Sequence, residues 1–356
     1  MSSPAAAIQN QRKLSIIQER PTPPISAPTR FSRVACRDID WGLRRRLSDY
    51  AVVGSQEAMS VAGRSTKWLL RNNSDPTDLY IAKFADKNGR AETYTELFNN
   101  QLGVALGFEM AHSGVVRLDD KLYFVTKSFR DADERLVHGS LMVEELLATT
   151  PKDTDAIGKG RDEQHFYSID FLRDVILQFC PGACGAAVLA KFIEMLVFDA
   201  LIGSMDRHHQ NWGVLQPLAE PARTRLAPIF DSARALMWDF PEGKLAEYDG
   251  EETKIHRYVE NARPRVGTYP KSTKPKGCNH FELIENLLHL FPHQTRAVLL
   301  KIHPDIGDIA DTLMQQFPFQ RAFSGRRKRL IRRVLEIRTD RLLALAKTGG
   351  VYGPAE

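Results

Sequence analysis

Two short stretches hold the side chains best suited to chemistry: Met205-Asp206-Arg207-His208-His209-Gln210-Asn211-Trp212-Gly213 and Pro228-Ile229-Phe230-Asp231. Asn211 follows Asp206 by five residues, and Asp231 stands twenty residues beyond Asn211. Phosphoryl transfer from Mg-ATP asks for such a set. One carboxylate orients and deprotonates an attacking hydroxyl, while an amide oxygen and a second carboxylate hold the metal on the phosphates. Both oxygen types suit a hard cation such as Mg²⁺. On this reading Asp206 is the catalytic base, and Asn211 and Asp231 are catalytic metal ligands. His208 packs or hydrogen-bonds to hold the loop, and Arg207 pairs with a nearby acid. The bland alternative is that Asp and Asn in loops cap helices or shape turns. The two motifs occurring together, each after an apolar segment, weigh toward chemistry.

Lys83 lies in Tyr80-Ile81-Ala82-Lys83-Phe84, a predicted strand that resembles the V-A-I-K strand of kinases, whose Lys contacts the nucleotide phosphates. A helix carrying Glu92 and Glu96 follows it, and Glu96 is the preferred partner for Lys83. Gly63-Arg64-Ser65-Thr66-Lys67 precedes the same hairpin. Glycine and small hydroxyl residues let backbone N–H groups approach phosphates, so Gly63, Ser65 and Lys67 are candidate nucleotide contacts beside Lys83 and Glu96. The wording departs from G-x-x-x-x-G-K-[ST], which excludes a Walker-type loop and leaves a simple turn as the alternative. Val125-Thr126-Lys127-Ser128-Phe129 falls where an adenine-contacting hinge would stand.

Elements able to position these groups can be read around them. Tyr50 to Gly54 is a short apolar run. Lys67 to Leu70 and Leu79 to Phe84 flank Asn72-Asn73-Ser74-Asp75-Pro76, which predicts a hairpin. Glu92 to Leu106 has helical period and is stopped by Gly107. Val115–Leu118 and Leu122–Val125 predict a second hairpin. From about residue 131 helices dominate, with short strands at 212–215 and 225–229 around the catalytic loop. Residues 240–280 read as loop with short helices, followed by amphipathic helices. The last helix runs from about Gly325, capped by Ser324, and carries Arg326-Arg327-Lys328-Arg329 with Arg332 and Arg333 on what reads as a solvated face. The organisation is thus a disordered leader at 1–30, rich in Ser and Pro, a strand-rich lobe at 31–130, and a helical lobe at 131–350.

A chain of 356 residues with 43% hydrophobic and 26% charged residues can bury two lobes without disulfides or a structural metal. The net charge of +5 suits phosphate-bearing ligands but does not by itself indicate a nucleic-acid binder, so nucleic acid enters only indirectly if at all. Four cysteines without zinc-site spacing read as reduced thiols. The first residues lack a signal-peptide pattern, and Lys191, Glu194 and Asp199 interrupt the most apolar stretch, so no membrane span and a cytoplasmic location are expected.

Asp206-Arg207-His208-x-x-Asn211 with Leu226-Ala227-Pro228-Ile229-Phe230-Asp231 resembles the HipA-like serine/threonine kinases, the toxin kinases of bacterial toxin–antitoxin pairs. The resemblance runs from about Gly54 to Leu345 and takes in Lys83, the Glu96 helix ending Ala105-Leu106-Gly107, and Asn279-His280-Phe281. It implies an α+β, bilobed protein kinase-like fold, ATP and Mg²⁺, a protein Ser/Thr acceptor, and an antitoxin-like partner. It also implies autophosphorylation, with Ser55, Ser60 and Ser65 as candidate sites. Longer members carry an extra N-terminal domain, in whose place the leader stands here. A lipid or small-molecule kinase is the nearest alternative, since phosphatidylinositol kinases use a similar D-R-H-x-x-N loop. A catalytically inactive kinase fold acting as a binding protein comes next. A metallohydrolase on Asp206, His208 and His209 is the weakest option.

Overall fold

A computed structural model describes residues 50–55, 67–74, 78–84, 89–118, 121–149, 167–268 and 277–348. The leader, Gly63, Ser65 and Ser60 lie outside the described residues.

The first lobe is an antiparallel sheet. Its strands are β1 (Tyr50–Ser55), β2 (Lys67–Asn72), β3 (Leu79–Phe84), β4 (Ser113–Leu118) and β5 (Lys121–Lys127), in the order β1-β2-β3-β5-β4. Both expected hairpins are present, as β2–β3 and β4–β5. Alternation sorts the side chains onto two faces. Leu70, Tyr80, Ala82, Val116, Tyr123 and Val125 form a buried cluster on one. Lys67 stands opposite Lys83, and Lys83 opposite Phe124, so this row shares the other face, where Phe124 joins the main core.

Helix α1 (Gly89–Ala105) links β3 to β4. It is buried on nearly every side, including Glu92, Glu96, Asn99 and Asn100. Its apolar side chains Leu97, Phe98 and Leu102 enter the main core, where the Phe98 ring meets the Phe319 ring edge-on at 5.7 Å. Buried polar groups must find partners. Asn99 donates to the Ser232 carbonyl (2.7 Å) and Asn100 to the Ala111 carbonyl (2.6 Å). The helix ends where predicted, with Gly107 at φ 78°, a left-handed position that glycine adopts without Cβ strain.

The second lobe is mainly helical: α2 (Gly139–Thr149), α3 (Ile169–Phe179), α4 (Ala183–Ile202), α5 (Glu242–Ala246), α6 (Glu252–Asn261), α7 (His280–Leu290), α8 (Pro292–Leu299), α9 (Ile306–Met314), α10 (Phe319–Ala322) and α11 (Gly325–Thr348). Helix α4 is apolar around most of its circumference and runs through the core, with every residue from Phe192 to Ile202 buried. The cap read at Ser324 is in place, and α7 has one that was not read. Asn279 and Glu282 form a reciprocal capping box on α7, and the Ser324 hydroxyl accepts from the Arg327 N–H at the start of α11. Among the described residues no helix is long and apolar enough to cross a membrane.

Two expectations change, and one between them holds. A strand, β6 (Glu134–His138), pairs with β7 (Gly213–Pro217), which pairs with β8 (Arg225–Leu226), so the second lobe opens with sheet rather than helix. The 240–280 stretch is, as expected, loop with short helices: α5 and the ten-residue α6, which buries Ile255 and Val259. The basic run on α11 is not a simply solvated face. Arg327 is buried and donates to the Met237 and Phe240 carbonyls (3.0 and 2.5 Å). Arg326 and Arg329 pair with Asp249, Arg332 with Asp308, Asp311 and Glu336, and Arg333 with Glu252.

Arg338, further along α11, is fully buried and donates to two backbone carbonyls, those of Ala200 (2.6 Å) and Val259 (3.1 Å). Both carbonyls lie in the last turns of their helices, α4 and α6, where backbone dipoles present partial negative charge. Burial pushes this guanidinium down to about 10, which still leaves it charged at neutral pH.

Candidate active site

The loop bearing Asp206 begins where α4 stops. Gly203 caps the helix at φ 70°, and a Cβ there would press on the Arg338 guanidinium. Arg207 then turns inward, its side chain 2% exposed. Its Nε and one terminal nitrogen bind the two Asp199 oxygens at 2.8 and 2.9 Å. The same guanidinium donates to the Asn211 carbonyl (2.7 Å), the Phe230 carbonyl (2.6 Å) and the Ser232 hydroxyl (3.0 Å). One side chain therefore ties α4, the Asp206 loop and the Asp231 loop together. Burial alone would lower the Arg207 pKa, but the paired Asp199 charge more than offsets it. The Tyr167 hydroxyl donates to the Arg207 carbonyl (3.0 Å) and accepts from the Trp212 indole (2.7 Å), bracing the loop from behind.

Lys83 reaches into the same region from β3. Its Nζ lies 3.2 Å from Glu96 Oε2 and 2.5 Å from Asp231 Oδ1. Glu92, the other acid on α1, is buried and acts on Lys83 only as a weaker, more distant charge. Two acids share one ammonium, and their environments separate them. Burial raises the Glu96 carboxyl, to about 7, with the Lys83 charge opposing. Burial also acts on Asp231, but the nearer Lys83 wins and holds it down at about 2. Burial would lower Lys83 itself, and the charges of Asp231 and Glu96 raise it instead. Asp231 has φ 54°, an uncommon backbone region that Asp tolerates better than most residues.

Asn211 donates its Nδ2 to the Asp206 carbonyl (2.8 Å), which leaves its Oδ1 as the atom suited to a cation. The Asp206 carboxylate is 16% exposed and flanked by Arg234 (3.2 Å) and Arg265 (3.6 Å). The Gln210 N–H donates to His208 Nδ1 (3.2 Å), as fits a neutral ring holding the loop, and burial lowers the pKa of this histidine while the charges of Asp206 and Asp231 both act on it. The two aspartates thus lie within electrostatic reach of one imidazole. Lys67, opposite Lys83, is lowered by burial against the opposing charges of Asp231 and Glu96, so it too stands in their field.

Beside this cluster is a recess lined by Glu96, Asn100, Met110, Ala111, Phe124, Thr126, Ile229, Phe230, Asp231 and Ser232. Thr126 comes from the segment expected to serve as a hinge. Phe129, just after it, stacks on Phe230 with centroids 5.6 Å apart. A parallel bridge joins Met110 and Ile229, both of which line the recess.

The structure therefore brings Lys83, Glu96 and Asp231 into direct contact, with Asp206, Asn211 and Lys67 around them. Gly63 and Ser65 lie outside the described residues, and Ser55 ends β1. Residue reading missed Asp199, Asn99, Tyr167, Arg234 and Arg265. Asp199 had carried a signal, as one of three charged residues, with Lys191 and Glu194, inside a largely apolar helix. Among the described residues no group of three or more His, Cys, Asp or Glu side chains is arranged to hold a metal.

The family described as the HipA-like C-terminal domain matches residues 59–299, more than half of the chain. The protein belongs to the HipA-like family. Among relatives, serine/threonine-protein kinase CtkA of Helicobacter pylori is 24% identical over 292 residues, covering 77% of this chain and 80% of that protein. The crystal structure of the Helicobacter pylori proinflammatory kinase CtkA superposes with a TM-score of 0.61 at 19% identity, covering 79% of this chain and 93% of that one. HipA of Shewanella oneidensis, solved with HipB and operator DNA, gives a TM-score of 0.51 at 14% identity, covering 81% of this chain and 66% of that one. These likenesses establish the α+β, bilobed kinase-like fold that the HipA-like motifs implied.

Proposed function

We propose that this HipA-like protein is a Mg-ATP-dependent kinase that phosphorylates a Ser or Thr hydroxyl on a protein. One observation carries this reading: Lys83 bridges Glu96 and Asp231 beside the Asp206–Asn211 loop, so the groups that phosphoryl transfer requires converge on one cleft.

The donor set fits the cofactor. Asn211 and Asp231 offer the hard oxygens Mg²⁺ prefers, and Lys83, with Lys67 beside it, offers positive charge for phosphates. When bound, Mg-ATP supplies the phosphoryl group and the metal charge that offsets its oxygens. Asp206 positions the acceptor hydroxyl and accepts its proton. Lys83 is held on β3 by Glu96, the neighbour on its α1 side. Arg207 fixes the backbone on either side, so Asp206, Asn211 and Asp231 keep their spacing. Gly63 and Ser65 complete the nucleotide contacts on this reading.

A protein acceptor is favoured over a lipid because the arginines of α11 are engaged by Asp249, Glu252, Asp308 and Asp311. Their charge is offset by these neighbouring carboxylates, which weakens their pull on anionic lipid. The HipA relative solved with HipB makes an antitoxin-like protein a further candidate partner.

The test is transfer of labelled γ-phosphate to cellular proteins by wild type and Asp206→Ala, with the labelled peptides sequenced. Wild-type labelling on Ser or Thr that the variant loses by at least about a hundredfold is expected. Equal labelling by both would overturn the assignment.

A further inference from the structure

We infer that Arg234 and Arg265 form a cationic ledge that selects acceptor hydroxyls flanked by carboxylate side chains. The inference rests on the kinase reading above and names the substrate chemistry it leaves open.

The charges of the cleft divide into two unequal groups. On the nucleotide side, Lys67 and Lys83 face Glu96 and Asp231, with the buried Glu92 a further acid in the same field. On the acceptor side, the single Asp206 carboxylate faces two guanidiniums, Arg234 at 3.2 Å and Arg265 at 3.6 Å. That side therefore carries an excess positive charge at the residue proposed to receive the hydroxyl.

The loop has supports besides these two side chains. Arg207, bound to Asp199, already fixes it from the buried side, and Asn211 closes it with a bond to the Asp206 carbonyl. Unlike Arg207, the outer pair remains open, with side chains 47% and 51% exposed. Each touches Asp206 through one terminal nitrogen, and a guanidinium has five N–H donors in a rigid fork. The donors that do not face Asp206 are suited to bidentate capture of a carboxylate.

Their anchoring is also built. Arg234 follows Asp231 by three residues, lies over the Trp238 ring at 5.3 Å, and its carbonyl accepts from the Met205 N–H (3.0 Å) just before Asp206. Arg265 comes from the segment after α6. The Gly267 N–H in that segment donates to the Tyr167 carbonyl (2.8 Å), and Tyr167 braces the catalytic loop. Two separate segments thus deliver one guanidinium each to the same carboxylate. Acidic groups on an acceptor would complete the charge balance, whereas basic flanks would add to the repulsion.

The test uses the full chain and two Ser-centred peptides, one with Asp and Glu around the Ser and one with Asn and Gln in their place. Binding is read by fluorescence anisotropy with a non-hydrolysable Mg-ATP analogue present, and phosphotransfer is read separately. Wild type is expected to prefer the acidic peptide by about tenfold, the scale of one charge-assisted hydrogen bond. The Arg234→Gln/Arg265→Gln variant should bind the two peptides within about twofold of each other, because its amides carry no net charge. The Arg234→Lys/Arg265→Lys variant, which keeps charge and loses the fork, should retain part of the preference. No acidic preference in wild type, or an unchanged preference in the Gln variant, overturns the ledge. An acidic preference that Gln abolishes, without transfer to any peptide, upholds the ledge and counts against the kinase reading alone.

Discussion

Lys83 on β3 and Asp231 in the second lobe are 148 residues apart in the chain, yet Lys83 Nζ lies 2.5 Å from Asp231 Oδ1. The same ammonium contacts Glu96 on α1 at 3.2 Å. A strand, a helix and a distant loop therefore meet at one charge, and this side of the cleft is organised around it.

Lys83→Ala should remove a phosphate-directed cation and leave Glu96 and Asp231 without a shared counter-charge. Steady-state phosphotransfer is expected to fall by two or more orders of magnitude, the scale seen when a charge-stabilising group is lost from an active site. Lys83→Arg should not restore it, because a planar guanidinium cannot take the ammonium's place between the two acids. Rates for both variants, measured beside circular dichroism spectra to confirm folding, check this.

Arg207 is expected to govern stability as well as activity. Removing it strands Asp199, a buried carboxylate with a 3% exposed side chain, and frees three acceptors on two loops. Arg207→Ala should destabilise the protein by roughly 3–5 kcal/mol, the usual cost of breaking a buried ion pair from one side. Urea unfolding midpoints measure it. The Asp199→Asn/Arg207→Met pair should recover part of the loss, since no charge is then left buried alone.

Glu96 provides a pH signature. Burial raises its carboxyl to about 7 from an ordinary value near 4.5. The folded protein then binds more protons than the unfolded chain between those values, so this group's contribution to stability falls as pH rises from about 4.5 to 7. Glu96→Gln should remove that dependence. Relative to the variant, wild type is expected to lose on the order of 1–3 kcal/mol between pH 5 and pH 8, by denaturant titration at each pH. Asp231, held at about 2, works in the opposite direction: its contribution is present above about 4 and is lost as pH falls toward 2.

Arg338 tests the packing of the second lobe without touching the cleft. It answers carbonyls in the closing turns of α4 and α6. Arg338→Ala would leave a cavity and two buried carbonyls without their donor, and should cost about 3–5 kcal/mol. Arg338→Lys should cost less but not nothing, since one ammonium on a shorter reach replaces a fork. Thermal and urea unfolding of the two variants give the comparison.

Much of the cleft was legible because its parts are local. The Asp206–Asn211 spacing lies within one loop, and Lys83 sits on a strand whose hairpin partner is announced by a polar turn. Even the Lys83–Glu96 pairing could be read, since a short connection ties that strand to that helix. Contacts decided by tertiary packing could not. Asp199 looks like a polar interruption of an apolar helix until Arg207 is seen folded beneath it. Strand β6 is five residues long, and its partner β7 lies about 75 residues further along, so neither period nor turn chemistry marks the pair. Arg326 to Arg333 read as a solvated basic face because their acidic partners come from α5 to α9 and the turns between them. Arg234 and Arg265 carry no motif and are singled out only by their shared proximity to Asp206.

The central claim is that Lys83, Asn211 and Asp231 grip one metal–nucleotide complex. Calorimetric titration of ATP with and without Mg²⁺, on wild type and Asp231→Ala, tests it most directly. Wild type should bind ATP at least about tenfold more tightly with Mg²⁺, the scale of one charge-assisted contact, and Asp231→Ala should lose that advantage while keeping its metal-free affinity. An Mg²⁺ advantage undiminished in Asp231→Ala would contradict the account.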